Sequence, residues 1–408
     1  MTAAPSGPLA GLRVLDASRV LAGPFCGQAL GDLGAEVLKV ERPGAGDETR
    51  GWGPPFVPFA ADGGATELSA YYLSCNRNKR GLTLDLSKPE GVRIFHELAR
   101  RSDVVLENFR AASAAKLGLS PSELLAVNPR LIVCSISGFG RTGPWADLPG
   151  YDFAVQALSG LMSITGPPAG EPYKVGVAVT DVLTGLYAAT AVLACLHARQ
   201  RSGHGYAIDL ALLDCAVAAQ VNVAQAFLSS DETPPRQGNA HFQIVPYQLF
   251  ATADSWLVLA VGNDGQWRRF CAAAGKPEWA ADERFAENPA RVRNRAVLVP
   301  LVEAAMRTKK TAEWQETLTA ADVPHAPVWT YAEMFGCPQA AARGLRVEVR
   351  DPSGRPVELV GTPFHIAGAT LPAPTAPPTL GQHTAEVLTG LLGLDPARLE
   401  ELRRQGVI

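Results

Sequence analysis

Apolar positions in the first half of this chain fall into short runs separated by longer amphipathic stretches. "LRVLDAS" and "AEVLKVER" read as buried strands, and "AGPFCGQALGDLG" between them has Pro24 suited to a first helical turn and Gly34 to a helix end. That is a βαβ unit. The rhythm continues with a helical "PEGVRIFHELARR", a strand "SDVVLENF", a helical "PSELLAV" and a strand "RLIVCSIS". Such alternation predicts an α/β fold with a doubly wound, Rossmann-like parallel sheet, whose ligands gather at the carboxyl ends of the strands.

Beyond "YDFAVQALSGLMSITG", a long helix from about Val182 to Arg199 is apolar nearly all round, which predicts burial on every side. A strand-helix pair, "GYAIDLALLDCAVAAQVNVAQAF", follows. "SSDETPPRQGNAH" is linker-like, and "YQLFATADSWLVLAV" reads as a hairpin opening a different segment. The expected division is a large domain over 1–225, a smaller α+β domain over 240–330, and a return segment, 331–408, that completes the large domain. Within that return, "LRVEVRDPSGRPVELV" reads as a hairpin, and "TAEVLTGLLG" and "PARLEELRRQ" read as helices.

A length of 408 residues suits two domains, and the net charge of −3, without blocks of like charge, speaks against a nucleic-acid partner. The seven cysteines are scattered and never form a CxxC pair. Buried thiols in a reducing, cytoplasmic compartment fit that pattern better than disulfides or zinc. The N-terminus lacks a signal-peptide pattern and no apolar run is unbroken enough to span a membrane, so a soluble protein is expected.

The seven histidines show no ligand spacing and no G-x-S-x-G elbow exists, which removes the main support for metal hydrolysis and serine-triad chemistry. "GFGRTG", Gly138 to Gly143, matches a dinucleotide fingerprint. It follows a fourth strand instead of the first, and Pro144 stands where a helix should begin, so a tight loop that lets backbone N–H groups approach an anion suits it better than a nicotinamide site. Glu41 could hold a ribose or be a solvated charge. Arg42, Asn108, Phe109 and Lys116, near strand ends, make a set of cations, amide and aromatic face suited to a nucleotide's phosphates and base. "CNRNKRG" reads as a solvated turn or an anion site.

"KVGVAVTDVLTG" isolates one carboxylate, Asp181, in apolar surroundings. As a residue at a helix start it has a bland role, capping orphan N–H groups. The same helix N-terminus would lower its pKa and keep it ionised, and an ionised carboxylate is already a nucleophile that needs no base.

The order of these motifs resembles the class III CoA-transferase family, which includes formyl-CoA transferases and succinyl-CoA-dependent dicarboxylate transferases. The likeness rests on "LRVLDASRVLAGPFCGQALGDLGAEVLKVERPGAGDETR", "NKRGLTLDL", "VVLENFR", "SISGFGRTGP", "YDFAVQALSGLMSITG", "VGVAVTDVLTGLYAATAVLACL" and "LGQHTAEVL", and spans almost the whole chain. The resemblance implies that Asp181 attacks an acyl-CoA, forming a mixed anhydride and then an aspartyl-CoA thioester before CoA passes to an acceptor acid. It implies CoA contacts at Arg42, Leu84, Asn108, Phe109 and Lys116 with Gly138 and Gly140 nearby, and an interlocked homodimer. Coenzyme A and acyl-CoA would be substrates, with no permanently bound cofactor and no metal.

The run of glycines found over the active site of formyl-CoA transferases is missing here, since "RQGNAHFQIVPYQ" has only Gly238. That points from oxalate towards succinyl-CoA with a dicarboxylate acceptor. The acceptor's second carboxylate would need a cation or neutral donors, for which Arg50, Tyr71, Arg236 and His241 stand as candidates. Two alternatives are an α-methylacyl-CoA racemase, whose relatives carry histidine where this chain reads Gly150-Tyr151-Asp152, and an acyl-CoA-binding protein without turnover.

Overall fold

The structure, a computed structural model, describes residues 6–61 and 64–408. Its central element is a six-stranded sheet, entirely parallel, in the order β5-β2-β1-β6-β7-β8. In chain order β1 (Arg13–Asp16) and β2 (Glu36–Glu41) are followed by an antiparallel hairpin of β3 (Phe56–Ala61) and β4 (Gly64–Ser69). Then come β5 (Lys79–Thr83), β6 (Val104–Glu107), β7 (Ile132–Ser137) and β8 (Tyr206–Ala211). The strands expected at "LRVLDAS", "AEVLKVER", "SDVVLENF" and "RLIVCSIS" all form, as does the "GYAIDLA" strand. The β3–β4 hairpin and β5 had no counterpart in that reading.

Both faces of the sheet are covered, and its inner strands β6 and β7 are accordingly apolar on both sides. Leu15, Leu38, Leu82, Val105 and Val133 point into one core, shared with Ile94, Phe95 and Leu98 of the helix Pro89–Arg100. Val387, Leu388, Leu399 and Leu402 of the two C-terminal helices enter the same core. Val14, Val37, Val104, Ile132 and Cys134 point the other way, against Ala22, Cys26 and Leu30 of the helix Ala22–Asp32 and Ala188, Val192 and Leu196 of the helix Val179–Ser202. Expected to be buried all round, this last helix is not: Leu186 and Tyr187 are exposed on its other side. It is long and apolar enough to cross a membrane, yet one face belongs to the core of the sheet.

Two compact units are present. The first takes 1–159, 176–220 and 338–408, and includes the hairpin of β12 (Arg346–Arg350) and β13 (Pro356–Val360). The second takes 160–175 and 221–337, a wider span than the 240–330 suggested by the sequence. It holds an antiparallel sheet of β9 (Tyr247–Ala251), β10 (Trp256–Ala260) and β11 (His325–Pro327), with a core of Trp267, Phe270, Phe285 and Trp314. Inside that core Arg291 is fully buried, with its guanidinium 5.3 Å from the Trp267 ring and hydrogen bonds to the carbonyls of Val245, Phe285 and Ala286.

A chain of buried charges lies on the sheet face that meets the helix Ala22–Asp32. Lys79 Nζ is 2.9 Å from Asp16, and Lys39 Nζ is 2.9 Å from Asp47, with all four side chains fully shielded from solvent. Burial opposes ionisation of Asp16, but Lys79 and Lys39 outweigh it and hold its carboxyl below the usual range. "CNRNKRG" is therefore no solvated turn: Lys79 and Arg77 are buried, the latter in a bidentate pair with Asp32. Glu41 is likewise buried against Arg50 and not solvated.

Removing one member should leave an unpaired buried charge. Lys39→Met is expected to destabilise the first unit by about 3–5 kcal/mol in urea unfolding, and a loss below about 1 kcal/mol would show that the cluster contributes little.

Candidate active site

The strand order turns back at β1 and β6, and at that reversal the carboxyl ends of the strands leave a crevice, the usual place for a ligand in an open parallel sheet. A cleft of about 420 Å³ occupies it, lined by Arg19 to Ala22 after β1, Asn108 to Ala111 after β6, Gly138, Gly140 and Arg141 after β7, Tyr151 and Asp181.

Side chains bolt these loops together. The Asn108 amide accepts from the Arg19 N–H at 3.0 Å and donates to the Arg19 carbonyl at 2.8 Å, so both of its ends are engaged within the protein. Glu107 accepts from the Phe109 N–H at 2.9 Å and pairs with Arg141. Val20 adopts φ 70°, a left-handed conformation costly for a β-branched residue, and its N–H lies 3.3 Å from the Asp47 carboxylate. A Cβ on Gly138 would stand 2.5 Å from the Gly150 Cα, so this glycine is required by the close approach of another backbone.

Asp181 sits in the first turn of the helix Val179–Ser202 and is partly buried. Among the described residues its carboxylate has no hydrogen-bond partner. Capping is done by another acid: Asp152 Oδ1 accepts from the Thr180 N–H at 2.9 Å and from its hydroxyl at 2.6 Å, and Oδ2 accepts from Gln156 at 2.7 Å. The expectation of a lowered pKa is thereby reversed. Burial first, and then the neighbouring Asp152 charge, push Asp181 up to about 7. One turn further on, a Cβ on Gly185 would meet the Ala22 carbonyl at 2.7 Å. This glycine draws the helix against the start of Ala22–Asp32 and so brings Asp181 to the cleft.

Of the other residues singled out, Asn108, Phe109, Gly138 and Gly140 line the cleft with Asp181, whereas Arg42, Leu84 and Lys116 do not. Arg42 and Lys116 are exposed, and the Leu84 side chain lies in the core. Arg50 is engaged elsewhere: it forms two bonds to Glu41, at 2.8 and 2.6 Å, donates to the Tyr72 hydroxyl and lies over the Tyr72 ring. Tyr71 packs edge-on against Trp52, and its hydroxyl is pushed up to about 12 by burial and then by Asp181. His241 and Arg236 belong to the second unit, where His241 accepts from the Gln243 N–H and Arg236 donates to the carbonyls of Pro167 and Gly170. At the racemase position Asp152 is held by Thr180 and Gln156. Among the described residues no group of three or more His, Cys, Asp or Glu is placed to hold a metal.

Three contributors escaped the sequence reading. Arg141 stands inside "GFGRTG", where the glycines carry the recognisable signal, Glu107 ends "SDVVLE", and Val20 carries no sequence mark of a positive φ.

Comparison with known proteins gives a consistent result. The profile of CoA-transferase family III matches residues 9–384. A succinate–glutarate CoA-transferase from Agrobacterium fabrum is 47% identical over 94% of this chain and 96% of its own. A human succinyl-CoA:glutarate CoA-transferase is 40% identical over 98% of this chain and 90% of its own. Among solved structures, a CaiB/BaiF family protein from Brucella suis superposes with a TM-score of 0.83 at 43% identity, covering 95% of this chain and 100% of that one.

The raised pKa of Asp181 has a consequence for stability. The folded protein disfavours the carboxylate, so the penalty is absent below the unfolded value near ~4 and fully developed once pH exceeds about 7. Asp181→Asn should therefore raise the melting temperature by a few degrees at pH ~8 and by progressively less towards pH ~4. A gain independent of pH would contradict the assignment.

Proposed function

This chain belongs to CoA-transferase family III, and from that premise we propose that Asp181 is the nucleophile that carries CoA from succinyl-CoA to a dicarboxylate such as glutarate. The observation that supports this most is a carboxylate with no hydrogen-bond partner among the described residues, standing in a cleft at the sheet's reversal while a second acid caps its helix. The glutarate reading follows the names of the similar proteins.

In the proposed cycle the Asp181 carboxylate attacks the thioester carbonyl, the C–S bond breaks, and CoA leaves as thiolate, giving a mixed anhydride. The thiolate then attacks the aspartyl carbonyl, forming the Asp181–CoA thioester and releasing the donor acid. An acceptor carboxylate attacks that thioester, CoA leaves again, and a second mixed anhydride forms. Attack by thiolate on the acceptor's carbonyl yields the new acyl-CoA and restores Asp181. Desolvation, which raises the pKa of Asp181, also leaves its anion poorly solvated and so more reactive. Each tetrahedral intermediate needs donors, which backbone N–H groups of the small-residue loops would supply.

The proposed assembly is a homodimer. Phe153, Leu158, Leu186, Tyr187 and Val217, on three helices packed together in the first unit, are all exposed, apolar surface of the kind a subunit contact covers. A cytoplasmic location agrees with seven cysteines outside any disulfide, five of them buried.

Asp181→Ala should abolish transfer while leaving CoA affinity within severalfold, because the loops that line the cleft remain. Hydroxylamine added with succinyl-CoA should trap a hydroxamate at Asp181 in wild type, and a label mapped to a cysteine would overturn the mechanism. Because only the carboxylate attacks, kcat/KM for the donor should rise with pH through about 7 and then level off. A flat profile between pH ~5.5 and ~8 would argue against Asp181 as the attacking group.

A further inference from the structure

We propose that Arg141 is an anion-binding residue of the cleft, taking a carboxylate or phosphate oxygen of the CoA thioester. Its backbone is fixed by an N–H bond of 2.9 Å to Asp209. Its side chain is fixed by one Nη on Glu107, whose side chain is 1% exposed. The side chain is not sealed in, since it is 17% exposed as a whole and Arg141 lines the cleft beside Asp181.

Two donor groups are left over. Nε is buried with no acceptor, and Nη1 has none among the described residues. An unmade bond to a buried charged donor is costly, and native structures carry few of them, so the missing acceptor calls for a partner from outside the chain, a water or a ligand. The planar fork of a guanidinium matches the paired oxygens of a carboxylate or phosphate. Charge points the same way at one neighbour: Arg19 is held by Glu48 and Arg141 by Glu107, whereas Arg110 of the cleft lining forms no ion pair among the described residues. Glu107 thus acts as a positioning residue, which holds Arg141 with one oxygen and the Phe109 backbone with the other.

This inference rests on the transferase reading, and two measurements separate them. Initial rates with succinyl-CoA and butyryl-CoA test Arg141→Gln and Arg141→Lys. Calorimetric binding of free CoA and of both thioesters, in an Asp181→Ala background, tests Arg141 without turnover.

Loss of a charge-assisted bond should raise KM and Kd by about tenfold or more in Arg141→Gln, with a much smaller change in kcat. Partial recovery is expected in Arg141→Lys. A rise confined to succinyl-CoA identifies the far carboxylate of the acyl group as the anion, and an equal rise for both thioesters and free CoA identifies the CoA phosphates. Should Arg141→Gln fold poorly because Glu107 loses its partner, the double variant Glu107→Gln/Arg141→Gln removes both charges and reads the same quantities. Unchanged KM and Kd in either variant, or a fall in kcat alone, would overturn the proposal. Wild type inactive on every donor, with binding still dependent on Arg141, would instead sink the transferase reading.

Discussion

Four charges without access to water hold the working edge of this sheet. Lys39 reaches from β2 to Asp47 and Lys79 from β5 to Asp16; Lys39 donates further to the Ser18 carbonyl, and Lys79 to the Pro24 carbonyl and the Asn76 amide oxygen. Asp47 in turn takes the N–H of Val20. The turn from β1 into its helix is therefore pinned from several sides, which is what a β-branched residue at φ 70° needs in order to persist. Two apolar faces around a sheet would fold without such a cluster. The shape of the loop that floors the cleft would not be fixed.

At the start of the helix Val179–Ser202 two acids divide the work. Asp152 satisfies the free N–H and hydroxyl of Thr180, so its charge is bonded and useful to the fold. Asp181, one residue later, finds the donors already taken and a like charge close by. Its carboxylate has no hydrogen-bond partner among the described residues and its pKa is about 7, a state that stability alone would not select. Gly185 adds the geometry, since only a residue without Cβ lets the two helices approach as they do.

The same economy links the loops. Asn108 is engaged with Arg19 through both ends of its amide, so whatever it contributes to a ligand comes through the loop it fixes and not through a free side chain. Glu107 joins the β6 and β7 loops. The cleft is consequently built from backbone and small residues held by buried polar groups, with cations at its rim.

Period and punctuation were enough to read the alternating strands and helices, because a strand buried on both faces and a helix with one apolar stripe leave unmistakable local patterns. They were also enough to isolate Asp181 as an acid without a partner nearby in sequence. What no local pattern could carry was partnership across distance. Asp152 caps a helix 28 residues away, and Arg50 belongs to Glu41 and Tyr72. Leu186 and Tyr187 stay outside a core that their neighbours enter. Burial and pairing are properties of the packed chain, so the ionisation of Asp181, the loss of Arg50 as a free cation and the unmet donors of Arg141 were decided only when distant segments came into contact.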